Sequence, residues 1–82
     1  MSSSTMTYLD GRITIIPDLC NGKPTIRGKR ITVQTILEFL SAGETPDEIL
    51  KQYPSLEMED ISACLEFASL MMANKFVVKD IA

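Results

Sequence analysis

The sequence predicts a mainly α fold: three helices in a helix-turn-helix bundle, preceded by one or two short β-strands. Three observations carry that expectation. After position 32 the apolar spacing changes from every second residue to every third or fourth. A break at Gly43 is followed at once by Thr45-Pro46-Asp47-Glu48, a strong helix start. A last apolar segment, residues 58–73, is long enough for about four helical turns. The 82 residues suffice for one domain. Residues 1–10 are expected to form a disordered leader, and residues 11–82 a single helix-turn-helix-like domain.

Taken in order, Arg12-Ile-Thr-Ile-Ile16 is β-branched and bounded by Gly11 and Pro17, the pattern of a short strand. Arg30-Ile-Thr-Val33 nearly repeats it and predicts a second strand. Between them, Asp18 to Lys29 reads as a loop, with turn chemistry at Asn21-Gly22 and Lys23-Pro24. Val33, Ile36, Leu37 and Leu40 then share one face of a helix near 33–42. A capping box opens a helix over 46–53, which stops at Pro54. The third helix, near 58–73, starts poorly, because Glu57 stands where Ser, Thr or Asp would cap better. Its apolar residues wrap widely: Ile61, Cys64, Leu65, Ala68 and Met72 form one stripe, and Phe67, Leu70 and Met71 a second. A small monomer buries one stripe. The second therefore points to a homodimer with Phe67, Leu70 and Met71 at its interface, the alternative being a fully buried central helix. Lys75-Phe-Val-Val-Lys79 reads as a β-like tail docking on a neighbouring subunit, or as a helical extension.

Composition excludes several functions. The chain has no histidine, so Ser–His and Cys–His catalysis and His-ligated zinc or haem are impossible. Two cysteines without histidine cannot close a zinc shell. Neither enzymatic activity nor a metal or cofactor is expected. No apolar run approaches the roughly 20 residues of a membrane span, and residues 1–7 lack a signal-peptide pattern. Cys20 and Cys64 are too few for a disulfide scaffold and fit a reducing cytoplasm. Gly22-Lys23-Pro-Thr25 lacks the upstream glycine of a phosphate loop. Cys20 beside Lys23 reads as a partly buried small hydrophobe rather than a reactive thiol.

Charge is polarised, although the net value is only −3. Residues 12–30 hold Arg12, Lys23, Arg27, Lys29 and Arg30 against Asp18. Residues 38–66 hold Glu38, Glu44, Asp47, Glu48, Glu57, Glu59, Asp60 and Glu66 against Lys51. Lys23, Arg27, Lys29 and Arg30 are candidate phosphate contacts, with Asn21, Gly22 and Gly28 letting backbone approach a nucleic acid. The plainer alternative has the arginines capping strands or pairing with acidic helices, through Glu44 and Asp47.

Several of these segments together resemble a known family. Arg12-Ile-Thr-Ile, Cys20-Asn-Gly-Lys-Pro-Thr-Ile-Arg-Gly-Lys-Arg-Ile31, Ile36-Leu-Glu-Phe-Leu-Ser-Ala-Gly-Glu-Thr-Pro-Asp-Glu-Ile-Leu50, Tyr53-Pro-Ser-Leu56 and Asp60-Ile61 look like the signature of domain-of-unknown-function family 433. The resemblance covers about residues 12–68. Its members resemble VapB-like antitoxins, small cytoplasmic proteins with a homeodomain-like three-helix fold, often encoded beside a PIN-like ribonuclease. The resemblance implies a dimeric DNA-binding antitoxin or repressor that also masks its toxin. One departure affects that reading. The family commonly has Thr or Ser at the third-helix cap, whereas here Glu57, Met58, Glu59 and Asp60 lead the helix. Carboxylates there face phosphates with the wrong sign. A second expectation therefore stands beside the first: a protein-interaction module whose acidic helices mask a PIN-like ribonuclease without significant DNA binding.

Overall fold

Asp10-Gly11 is the dipeptide that a tight β-hairpin favours, and it closes one here. A computed structural model of the protein describes residues 4–75. In it β1 (Met6–Tyr8) and β2 (Ile13–Ile15) pair antiparallel, Tyr8 opposite Ile13. Arg12 N–H donates to Leu9 C=O at 3.1 Å, and Asp10 and Gly11 have φ of 60° and 80°. Part of the expected disordered leader is therefore a sheet strand. The turn supplies the reason, since left-handed Asp and Gly cost little there.

β3 (Pro24–Ile26) joins β2 antiparallel, giving the sheet order β1-β2-β3. It lies inside the stretch read as loop. Ile13 and Ile26 sit opposite each other and are both fully buried. The neighbouring pair, Thr14 and Thr25, is also buried, with hydroxyls 2.8 Å apart. Thr25 Oγ1 donates to Thr14 C=O at 3.2 Å, and Thr14 Oγ1 accepts the Gly28 N–H at 2.9 Å. Every polar atom of the pair has a partner, as burial demands.

The second expected strand, Arg30–Val33, does not form. Thr32 makes one bridge to Thr25 and then caps α1 (Val33–Ser41), accepting the Thr35 N–H at 3.0 Å. Capping a helix with a well-formed apolar face outweighs the β preference of a four-residue run. Glu44 N–H donates to Phe39 C=O and Gly43 N–H to Leu40 C=O, both at 3.0 Å. With Gly43 at φ 98°, this is a Schellman stop. α2 (Pro46–Gln52) starts with the expected capping box: Glu48 N–H donates to Thr45 Oγ1, and Thr45 N–H to Glu48 Oε1. α3 (Met58–Lys75) is the long element; the remaining residues of the expected tail lie outside the described residues.

The core gathers Ile13, Ile26, Val33, Ile36, Ile49, Leu56, Ile61, Ala63, Cys64 and Phe67 between the sheet and the helices. α3 packs on β2, α1 and α2, and α1 packs on β3. The faces of α3 differ from expectation. Phe67 is buried against Tyr8, ring centroids 5.2 Å apart and edge to face, while Leu65 and Met72 are 51% and 61% exposed. Phe67 therefore belongs to the core, not to a dimer interface. Met71 is half-buried against the same cluster and Leu70 is 38% exposed. β1 is the cause, because it brings a ring to the Phe67 side of the helix that the sequence reading left uncovered.

Candidate functional site

The ends of β2 and β3 deliver two guanidinium groups to one carboxylate. Arg12 precedes β2, Arg27 follows β3, and Arg27 N–H donates to Arg12 C=O at 3.0 Å. Arg27 and Gly28 occupy the centre of a turn closed by Lys29 N–H to Ile26 C=O at 2.8 Å, with φ of 47° and 71°. Both positive values fit a type I′ turn, which strains Arg27 but suits Gly28. That turn aims Arg27 at Asp60, in the first turn of α3. Asp60 is fully buried.

Each Asp60 oxygen is doubly engaged. Oδ1 accepts from Arg12 Nη1 at 2.8 Å and Arg27 Nε at 3.0 Å. Oδ2 accepts from Arg27 Nη2 at 2.7 Å and Glu57 N–H at 2.8 Å. Arg27 Nη2 also donates to Ser55 C=O, and Arg12 Nη1 to Glu57 Oε1, both at 3.0 Å. The bidentate Arg27–Asp60 pair is the strong geometry for such contacts. Asp60 also supplies the reciprocal half of a capping box, accepting the Glu57 N–H from the third helical position. Burial by itself raises the Asp60 pKa. Hydrogen bonds from Arg27, the Glu57 backbone and Arg12 outweigh that and hold it below the usual carboxylate range. Hydrogen bonds to the Glu57 side chain and to Asp60 raise Arg12, and the bond to Asp60 raises Arg27, further above the ordinary value. A carboxylate held ionised and saturated has no proton to exchange. The cluster is a clamp joining hairpin, interhelical turn and α3.

The clamp changes the expected nucleic-acid site. Arg27 is turned inward, and its partner is Asp60 rather than Glu44 or Asp47. Glu44 instead accepts from Gln52 Nε2 at 2.8 Å. Gly22 N–H donates to Leu19 C=O at 3.0 Å and Gly28 N–H to Thr14 Oγ1, so neither amide is left to hold a phosphate. Asn21 sits in a left-handed turn, Cys20–Gly22, with φ 58°. Among the described residues, Lys23, Lys29 and Arg30 form no salt bridge. They are what remains of the basic block.

One turn beyond Asp60, Cys64 is fully buried, and its thiol is pushed up to about 12 by burial and then by the Asp60 charge. Thiolate is the reactive form. A thiol reagent at pH 8 is therefore expected to label half-exposed Cys20 promptly and Cys64 only when the chain opens. Mass spectrometry of native and urea-treated protein should show one and then two adducts; two fast adducts in the native state would overturn this placement.

Outside the clamp, exposed carboxylates dominate the helices. Glu59 and Glu66 on α3, with Asp10 of the β1–β2 turn, line a shallow groove together with Arg12, Leu9, Ser62 and Ala63. Glu38, Asp47 and Glu48 extend the negative surface onto the first two helices. Among the described residues, no group of three or more acidic or cysteine side chains is arranged to hold a metal ion.

The comparisons bear on this arrangement. The model of the family described as "Protein of unknown function (DUF433)" matches residues 13–68, which include β2, β3, α1, α2 and Asp60. The chain belongs to the DUF433 family. A crystal structure of a DUF433 member from Anabaena variabilis ATCC 29413 is similar, with TM-score 0.71 and 35% identity over 73% of this chain and 59% of that one. An uncharacterized protein, y4eO, of Sinorhizobium fredii (strain NBRC 101917 / NGR234) is 35% identical over 49 residues. Those residues are 60% of this chain and 22% of y4eO, so the DUF433 chain spans about a fifth of that relative's length. The family match begins at Ile13 and leaves out both Arg12 and the β1 strand.

Proposed function

We propose that this DUF433 protein is a small protein-binding module of the antitoxin kind, whose acidic helical face docks on and masks a basic, RNA-handling partner such as a PIN-like ribonuclease. One observation carries the reading. Arg27, one of the four candidate phosphate contacts, is committed inward, while most of the helices' carboxylates face out. Arg12 and Arg27 are held by Asp60, and the start of α3 presents Glu57 and Glu59. An RNA-cleaving surface is positive because its substrate is negative, and an acidic cover competes for it directly.

Co-purification of the full chain with the product of the neighbouring gene, followed by titration calorimetry, tests this. The expected complex weakens as salt rises from about 50 to 500 mM. Glu59→Lys with Glu66→Lys should raise its Kd by at least about tenfold without altering the circular dichroism. No complex, or one indifferent to salt and to the double variant, would overturn the reading.

A second reading keeps DNA as the partner in a homeodomain-like helix-turn-helix arrangement of α2 and α3. Lys23, Lys29 and Arg30 favour it, being cations without a salt bridge among the described residues. In a dimer they offer six phosphate contacts. If half engage, log affinity falls with log salt at a slope of about −3. Gel shifts on the upstream DNA would detect this, and their absence at moderate salt leaves the protein partner.

A further inference from the structure

We infer that α3 is also a self-association surface, on which a second copy of this chain packs antiparallel about a two-fold axis at Leu65. The outward face of α3 carries Met58, Ser62, Leu65, Ser69 and Met72, all exposed. Met58, Leu65 and Met72 are 44%, 51% and 61% exposed. Their spacing is seven and seven, with the serines between them, so the five positions fall on one stripe of an α-helix. About Leu65 the stripe is nearly symmetric, with methionines at −7 and +7 and serines at −3 and +4. Such a stripe suits an isologous interface, in which residue i of one copy meets j of the other while j meets i. Antiparallel packing sets Leu65 on Leu65 and Met58 on Met72, and the small serines allow the backbones close approach.

Charge supports the same occupant. Next to the stripe, an apolar groove runs between α3 and α1, where Ala68 and Met72 face Pro24, Val33, Gln34 and Leu37. Neither stripe nor groove holds a charged residue, although about a quarter to a third of a small domain's surface positions are ordinarily charged. In a chain of net charge −3 this is the face on which two copies meet without repulsion. A basic partner is drawn to the carboxylates of the neighbouring groove, which meets the stripe at Ser62.

Area sets the strength. An 18-residue helix offers a strip about 27 Å long and 10 Å wide. Two such strips, even with both grooves included, stay below the roughly 1,000 Å² that a stable specific interface needs. A weak, reversible dimer follows. The expected interface residues are Met58, Leu65 and Met72 with half-buried Met71 at the groove, whereas Phe67 is spent in the core and Leu70 lies on the far flank.

Sedimentation equilibrium of the full chain from about 5 to 200 µM tests this. The weight-average mass should rise from 9.1 kDa towards twice that value. Leu65→Glu should hold the mass at the monomer value with unchanged circular dichroism, and Leu70→Glu should leave the rise intact. In a Cys20→Ser background, mixed Met58→Cys and Met72→Cys proteins should oxidise to the heterodimer in preference to either homodimer, because only antiparallel packing brings those two positions together. A monomer throughout the range would overturn the inference. So would a dimer that Leu65→Glu leaves intact, preferred homodimer cross-links, or a stripe whose substitution affects only a different protein's binding.

Discussion

Asp60→Ala is expected to destabilise the fold by about 3–5 kcal/mol, the range found when one member of a buried ion pair is removed. Asp60 is fully buried and accepts four hydrogen bonds, so alanine strands two guanidinium groups and the Glu57 N–H together. A chain of this length has roughly 4–12 kcal/mol of total stability, so the variant stands near the edge of folding. Thermal unfolding should show the midpoint falling by more than about 10 °C. Asp60→Asn, which keeps the shape and one acceptor but loses the charge, should fall between wild type and alanine. Acid should act on the same group. Its folded pKa is depressed, so its contribution is complete above the unfolded value near 3.9 and disappears as pH falls through the folded value. Wild-type stability should therefore drop steeply below about pH 4, and Asp60→Asn should drop less over the same window. An Asp60→Ala protein that melts with wild type, or an Asn variant equally sensitive to acid, would remove the clamp from the account.

Phe67→Ala should cost a similar amount, about 3–5 kcal/mol, by opening a cavity in the core. Phe67 is 4% exposed and meets Tyr8 edge to face, a contact worth about 0.5–1.5 kcal/mol beyond the area it buries. Because that contact holds β1 to α3, the hairpin should loosen first, visible as early amide exchange at Met6–Tyr8. Urea unfolding at about 5 and 200 µM separates this from an interface effect. A core residue loses the same free energy at both concentrations. A loss seen only at high concentration would return Phe67 to the interface.

The helices were legible because their signals are local. Gly43, Thr45-Pro46 and Glu48 lie within six residues and mark one helix end and the next helix start. Of the sheet, one strand in three was legible. Ile13-Thr-Ile15 stood out by its β-branched side chains, whereas β1 was hidden by a polar leader despite the Asp10-Gly11 turn beside it. Reading that dipeptide as a hairpin would have supplied Tyr8, and Tyr8 decides which side of α3 is buried. The clamp was the least legible part. Asp60 lies 33 residues from Arg27 and 48 from Arg12, and no short-range spacing announces such a meeting. The available hint was an aspartate three residues after a glutamate at a helix start, where a reciprocal cap belongs.

The Thr14–Thr25 pair has a consequence for the fidelity of the fold. Strands of three residues offer too few side chains for apolar alternation alone to choose among registers. A one-residue slip of β2 along β3 parts the two hydroxyls and leaves both buried without each other. At about 1–3 kcal/mol for each stranded group, misregistered copies fall to between about one in thirty and one in twenty thousand. Two oxygen atoms 2.8 Å apart thus act as a proofreading step beside the buried Ile13–Ile26 pair, adding to the cost of a slipped register in the three-stranded sheet.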